Sequence, residues 1–234
     1  MNFDDIAIRS LLIVLVGLGV GAVLSKRTAA TRHLVYAGLL LSIVLLPVLR
    51  QWGPTRSVPL ETLPAPVREL AARIDSNPVV ATADAAVQSG PALAADSHWP
   101  ARLLISVWML GSLLLIGRLF TGIALTAKLV RSGERLYLFG SEQYEIRVVK
   151  GVNVPATTWI GRQVILLPTN YESWPPERVR SVVLHEAAHI ARRDWFVQFF
   201  GRVACALYWP NPLVWLANRR MVDLAEQAAD DLVL

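Results

Sequence analysis

The chain has 234 residues, of which 54% are hydrophobic and 18% charged, with a mean hydropathy of +0.43 and a formal charge of +5. So apolar a composition is unusual for a soluble protein and points first to membrane spans, and the single cysteine, Cys205, excludes an intrachain disulfide and reads as a small buried hydrophobe. The sequence pI of about 9.8 requires no direct nucleic-acid partner, because membrane topology and anionic lipid account for it.

Three segments are candidates for membrane spans. Ile6–Leu24 has 19 residues with Arg9 as its only charge, near one end; Asp4 and Asp5 before it, and the lack of an A-x-A site after it, disfavour a cleaved signal peptide. Leu34–Leu49 has 16 residues and no charge, short for a span unless it recruits its flanks. Leu103–Leu125 has 23 residues and one interruption, Arg118, whose long side chain can reach the interface.

Charge orients these spans. Lys26, Arg27 and Arg32 lie between the first two without any acid, and Lys128, Arg131 and Arg135 follow the third, whereas the arginines of the loop from Arg50 to Arg102 are balanced by acids. The positive-inside rule places the 25–33 loop and the chain after 126 in the cytoplasm, with the N-terminus and the 51–101 loop outside. The expected organisation is a two-helix transmembrane hairpin (1–50), an extracytoplasmic Pro/Ala-rich linker (51–101), a third transmembrane helix (102–127) and a cytoplasmic domain (128–234). The linker holds at most a short helix over Pro66–Ile74. His98 and His33 read as residues at membrane boundaries.

Beyond the third span the pattern turns to period two. Arg135–Phe139 and Tyr144–Lys150 alternate about Gly140-Ser141 as a β-hairpin would, and Trp159–Leu167 is a further strand-like run closed by Pro168. A small antiparallel sheet is therefore expected. A helix should follow, with Ser173 as its cap, Pro175 and Pro176 in its first turn, and Val179, Val182, Val183 and Leu184 on its apolar side.

That helix contains His185-Glu186-Ala187-Ala188-His189, an H-E-x-x-H motif. Residues four apart on a helix lie one above the other, so both imidazoles reach one metal ion; Glu186, about 100° away, reaches a water on it. Catalytic zinc takes three protein ligands and keeps an open position. His33 and His98 are badly placed to be the third, which leaves a carboxylate. Glu226 and Asp230, at i and i+4 in an Ala- and Leu-rich stretch, suit a ligand and an outer acceptor for a ligand histidine's second ring nitrogen.

These motifs, with Ile190-Ala191-Arg192-Arg193-Asp194-Trp195 and Trp209-Pro210-Asn211-Pro212-Leu213-Val214-Trp215 between them, closely resemble the β-lactam sensor–transducer membrane metallopeptidases of the BlaR/MecR type over roughly residues 130–234. The resemblance implies a membrane α+β protein: three transmembrane helices and a cytoplasmic gluzincin-like zinc protease domain. In it His185, His189 and Glu226 bind Zn2+, Glu186 activates water, and Asp230 and Asp194 support the ligands from behind. It also implies a bacterial-type inner membrane and a cytoplasmic protein substrate, for instance a transcriptional repressor or the protease itself. Ala229 stands where the family often has Cys. The chain ends eight residues after Glu226, where such proteins usually continue through another span.

Trp195–Ala217 is apolar enough to pass for a fourth span, but crossing would strand Glu226 on the far side from His185. Arg202 and Pro210-Asn211-Pro212 fit a helix that dips into the interface and turns back, with Trp195, Trp209 and Trp215 as interfacial or core aromatics. Two other readings stay open: a housekeeping membrane gluzincin of the prenyl-protease or stress-protease type, and a non-catalytic membrane signalling module.

Overall fold

The computed structural model describes residues 3–52, 99–137 and 143–233. Two compact units divide the chain: residues 1–48 with 106–234, and residues 49–105, of which only the two ends are described. The expected helix at Pro66–Ile74, His98 and the Gly140-Ser141 turn lie outside the described residues.

Helices α1 (Phe3–Val23) and α2 (Ala29–Trp52) are joined by a 3-10 turn at Leu24–Lys26. Thr28 caps α2, its Oγ1 accepting the Thr31 N–H at 3.4 Å. By starting at Ala29, α2 recruits the residues that the Leu34–Leu49 segment lacked. The two helices meet closely through Gly17 and Gly21, spaced i, i+4: a Cβ on Gly17 would lie 2.5 Å from Leu39 Cδ2, and one on Gly21 would enter the Tyr36 ring.

Helix α3 (Trp99–Ser132) has 34 residues, about 51 Å of helix against a hydrocarbon core of about 30 Å. It outruns the expected span at both ends. Only 6% of its most apolar stretch is buried, and Leu110, Leu113, Leu114 and Phe120 are exposed, which suits a lipid environment. Among the described residues, α2 over Ala29–Pro47 and α3 are long and apolar enough to cross a membrane; the apolar part of α1, Ser10–Lys26, is shorter.

Strands β1 (Glu134–Leu136), β2 (Glu145–Val149), β3 (Ala156–Trp159) and β4 (Gln163–Pro168) form one sheet in the order β1-β2-β4-β3. The sheet is mixed, which corrects the antiparallel expectation: β1 with β2 and β3 with β4 are antiparallel, but β2 and β4 run parallel. The reason lies in β4, which is apolar on both faces. Ile165 and Leu167 pack with Val183 and Ile190, while Val164 and Leu166 pack with Val130 and Val149. A strand buried on both sides belongs inside the sheet, so β4 takes the slot beside β2 and β3 is left at the edge. The Trp159–Leu167 run is accordingly two strands, broken at Gly161, whose φ of +72° favours glycine.

Helix α4 (Pro176–Arg192) starts without the expected serine cap. Ser173 Oγ instead donates to the Asn170 carbonyl at 2.7 Å inside a 3-10 turn, and Pro176, which has no N–H to satisfy, opens the helix after an extended Pro175. Val183 is in the core, but its neighbour Leu184 is 48% exposed. Arg193 then adopts the left-handed conformation (φ 57°, ψ 37°), and its N–H returns to the carbonyls of His189 and Ile190. Helix α5 (Asp194–Leu207) starts at the next residue.

A turn over 208–211 reverses the chain into α6 (Pro212–Val233), whose first turn is capped by Asn211 Oδ1 on the Leu213 N–H at 3.0 Å. The Trp195–Ala217 segment thus doubles back. Gly201 lets its two arms touch, because a Cβ there would strike the Asn218 side chain. Ala204, Cys205, Tyr208, Val214, Ala217 and Met221 share one core with Val14, Tyr36, Leu40 and Ile43 of the first two helices. Close van der Waals packing within this core fixes the hairpin against α1 and α2. Tyr208 O–H donates to the Ile43 carbonyl at 3.1 Å, and Trp108 Nε1–H of α3 to the Leu207 carbonyl at 2.8 Å.

Candidate metal centre

Helix periodicity stacks His185 and His189 on one side of α4, with ring centroids 4.9 Å apart. Helix α6 crosses that side and supplies Glu226. The Nε2 atoms of the two histidines are 3.2 Å apart, and Glu226 Oε2 lies 3.6 Å from one and 3.7 Å from the other. Ligands about 2.0–2.1 Å from a tetrahedral zinc ion stand roughly 3.3–3.4 Å from each other. The three atoms therefore have the spacing of three corners of such a site.

The other ring nitrogens explain why Nε2 is the free one. His185 Nδ1 lies 3.0 Å from Asp230 Oδ1, one turn beyond Glu226 on α6, and His189 Nδ1 lies 2.8 Å from Asp194 Oδ2. A carboxylate accepts, so each Nδ1 carries the proton and each Nε2 presents a lone pair. Two lone pairs and a carboxylate oxygen pointing into one small volume repel one another unless a cation sits among them. The donor set fits zinc, which takes imidazole nitrogen and carboxylate oxygen.

Asp194 reaches His189 because the left-handed Arg193 turns the chain back on α4 immediately after its last residue. Its side chain is 2% exposed, with Arg192 Nη2 at 3.5 Å from Oδ1. The Asp194 hydrogen bond raises the His189 pKa above its ordinary value, against the opposing effect of burial. Glu186 is buried beside the two histidines and is held from the sheet: Thr157 Oγ1, on edge strand β3, lies 2.5 Å from Glu186 Oε2 and 3.1 Å from its carbonyl oxygen. The single hydroxyl proton goes to the carboxylate. Trp195 stacks on Trp159 at 4.8 Å, tying α5 to the same strand.

All six residues singled out in the sequence, His185, Glu186, His189, Asp194, Glu226 and Asp230, thus meet in one place. Three others were not. Thr157 gave no signal, because its role depends on which strand lies at the sheet edge. Arg192 was noted only as part of a motif. His33 read as a boundary residue but is 3% exposed, with Nε2 at 4.0 Å from Asp194 Oδ1.

Comparison with known proteins follows this geometry. The family model for the BlaR1 peptidase M56 matches residues 2–234. The chain is 28% identical over 143 residues to the regulatory protein BlaR1 of Bacillus licheniformis, a match covering 55% of this chain and 24% of that protein. It is 32% identical over 90 residues to the regulatory protein BlaR1 of Staphylococcus aureus, covering 38% of this chain and 15% of that protein. The chain thus spans less than a quarter of the length of these curated relatives.

Proposed function

The chain belongs to the BlaR1 peptidase M56 family, and from that membership we propose that it is an integral-membrane zinc metalloendopeptidase acting in a signalling response. Its substrate in this reading is a cytoplasmic protein, for instance a transcriptional repressor, or the chain itself. The observation that carries the reading is the convergence of His185 Nε2, His189 Nε2 and Glu226 Oε2, each histidine backed by a carboxylate.

Zinc bound there would supply Lewis acidity, acidifying water and polarising the scissile carbonyl. Glu186 takes a proton from the attacking water and returns it to the leaving amine. Thr157 holds the Glu186 carboxylate in place, and burial keeps bulk water from competing for it. Strand β3 offers an open edge beside Glu186, where an extended peptide can add as a further strand. Peptide specificity then comes from side chains near Thr157 and Trp159.

Orientation follows from charge: three spans, the N-terminus outside and the protease domain in the cytoplasm, in a bacterial-type inner membrane. The α5–α6 hairpin enters beside α2 and α3 and returns, which keeps Glu226 on the side of His185. Its non-helical turn is partly satisfied from within, by the Tyr208 N–H on the Ala204 carbonyl and the Asn211 N–H on the Tyr208 carbonyl.

The test is zinc content and cleavage in two variants of the purified chain. Glu226→Ala removes a ligand, so zinc per chain should fall. Glu186→Gln leaves the ligands in place, so zinc should stay while cleavage drops by roughly 10²–10⁴-fold. Full zinc and full activity in Glu226→Ala would refute the ligand, and undiminished cleavage in Glu186→Gln the mechanism.

A further inference from the structure

We propose that His33, on membrane helix α2, is a positioning residue of the metal centre: it completes the hold on Asp194, and so ties the geometry of His189 to the seating of α2. The inference rests on the zinc reading above and extends it into the membrane.

Asp194 is 1% exposed and its Oδ2 is committed to His189. Its Oδ1 is buried without a hydrogen-bond partner, and so is His33 Nε2, which faces it at 4.0 Å. Two buried polar atoms, one able to donate and one able to accept, are each costly alone and complementary together. The gap is too long for a hydrogen bond and too short for a water between them, so a movement of about 1 Å closes it. His33 also lines a cavity of about 540 Å³ with Thr28, Arg192 and Asp231, so its ring is not packed on every side. Arg192 shares this carboxylate as an ion pair, with Nη2 at 3.5 Å from Oδ1, but its Nη1 donates to the Ala225 carbonyl at 3.0 Å and Nη2 makes no hydrogen bond, so Oδ1 keeps an open acceptor position on the His33 side.

The seating of α2 is itself defined by α5. His33 and Ile43 are ten residues apart on α2, and they meet Asp194 and Tyr208, at the two ends of α5. The two approaches follow the same order along both helices, one at each end of α5, with a hydrogen bond only at the Tyr208 end. A slide of α2 by a single residue, about 1.5 Å, would carry His33 out of reach of Asp194. The position of the membrane hairpin thereby sets the outer support of one zinc ligand.

The experiment uses the purified full chain in detergent. Zinc affinity is measured by competition with a chromophoric chelator, and site geometry by the visible spectrum of the Co2+-loaded protein. His33→Leu keeps the bulk and removes the donor; His33→Gln restores an N–H near the position of Nε2. We expect His33→Leu to bind zinc about tenfold more weakly, the lower end for outer-shell losses, with shifted Co2+ bands, and His33→Gln to recover most of both. Wild-type affinity and spectrum in His33→Leu would overturn the inference. So would a His33→Gln variant no better than His33→Leu, since packing and not a donor would then be at stake. Failure of the unaltered chain to bind zinc would overturn the metal-centre reading itself, and this inference with it.

Discussion

Replacing Asp194 or Asp230 by Ala removes the same kind of hydrogen bond from a histidine of the candidate metal centre, at 2.8 Å in one case and 3.0 Å in the other. The side chains differ in exposure, 2% against 66%. Water can replace Asp230, so that loss should resemble the deletion of an exposed charged pair, below about fivefold in zinc affinity. Water cannot reach His189 Nδ1 as easily. A hydrogen bond to a charged group there is worth about 1.5–3 kcal/mol, or roughly 10–100-fold in affinity. Asp194→Ala also deprives the nearby Arg192 guanidinium of its carboxylate and should lower the melting temperature of the metal-free protein, which Asp230→Ala should leave unchanged. Chelator competition measures the first effect and thermal unfolding without metal the second. Equal losses, or a larger one in Asp230→Ala, would refute the argument that burial sets the value of these supports.

Thr157→Val should keep zinc affinity while slowing cleavage about tenfold or more, the value of one hydrogen bond to a charged group; unchanged cleavage would remove Thr157 from the mechanism. Arg193→Gly should preserve stability and zinc affinity, because glycine relieves a left-handed strain of about 1–2 kcal/mol that offsets its greater unfolded-state entropy. Arg193→Val should lower both, and the reverse order would show that the turn does not place Asp194. Single cysteines introduced at positions 29 and 170 should react with a membrane-impermeant thiol reagent only from the cytoplasmic side, and one at position 80 only from outside. Cys205 is buried and should not compete. Outside labelling at position 170 would sink the cytoplasmic-protease reading.

The site was legible in sequence wherever its logic is local. His185 with His189, and Glu226 with Asp230, are i, i+4 pairs, and the helix itself brings each pair onto one face. That α6 crosses α4 at this point is not a local fact, but requiring a third ligand pointed to Glu226, which the fold brings beside the two histidines. The supports that arrive from other elements left no such trace. Thr157 depends on β3 being the edge strand, and hence on β4 being buried on both faces. The alternation of β1 and β2 showed their pairing, whereas the parallel contact of β2 with β4 joins strands that alternation cannot relate. His33 depends on two helices far apart in sequence. The Gly17-x-x-x-Gly21 spacing, which lets α1 and α2 meet, is a signal that could have been read and was not.

The apolar run from Trp195 to Ala217 shows what hydropathy does and does not measure. It reports how apolar a segment's surroundings are, and here much of those surroundings is protein: Ala204, Cys205, Val214, Ala217 and Met221 are each at most 3% exposed against α1, α2 and one another. Helix α5, with 14 residues, is about 21 Å long and could not span a hydrocarbon core of about 30 Å. The chain must turn at 208–211, and Asn211 is placed to cap the returning helix. Because the histidines precede this hairpin and Glu226 follows it, the close contact at Gly201 and the core around Met221 do more than fill space. They set how far along α4 the Glu226 carboxylate arrives, so the geometry of the candidate metal centre depends on packing well away from its own three side chains.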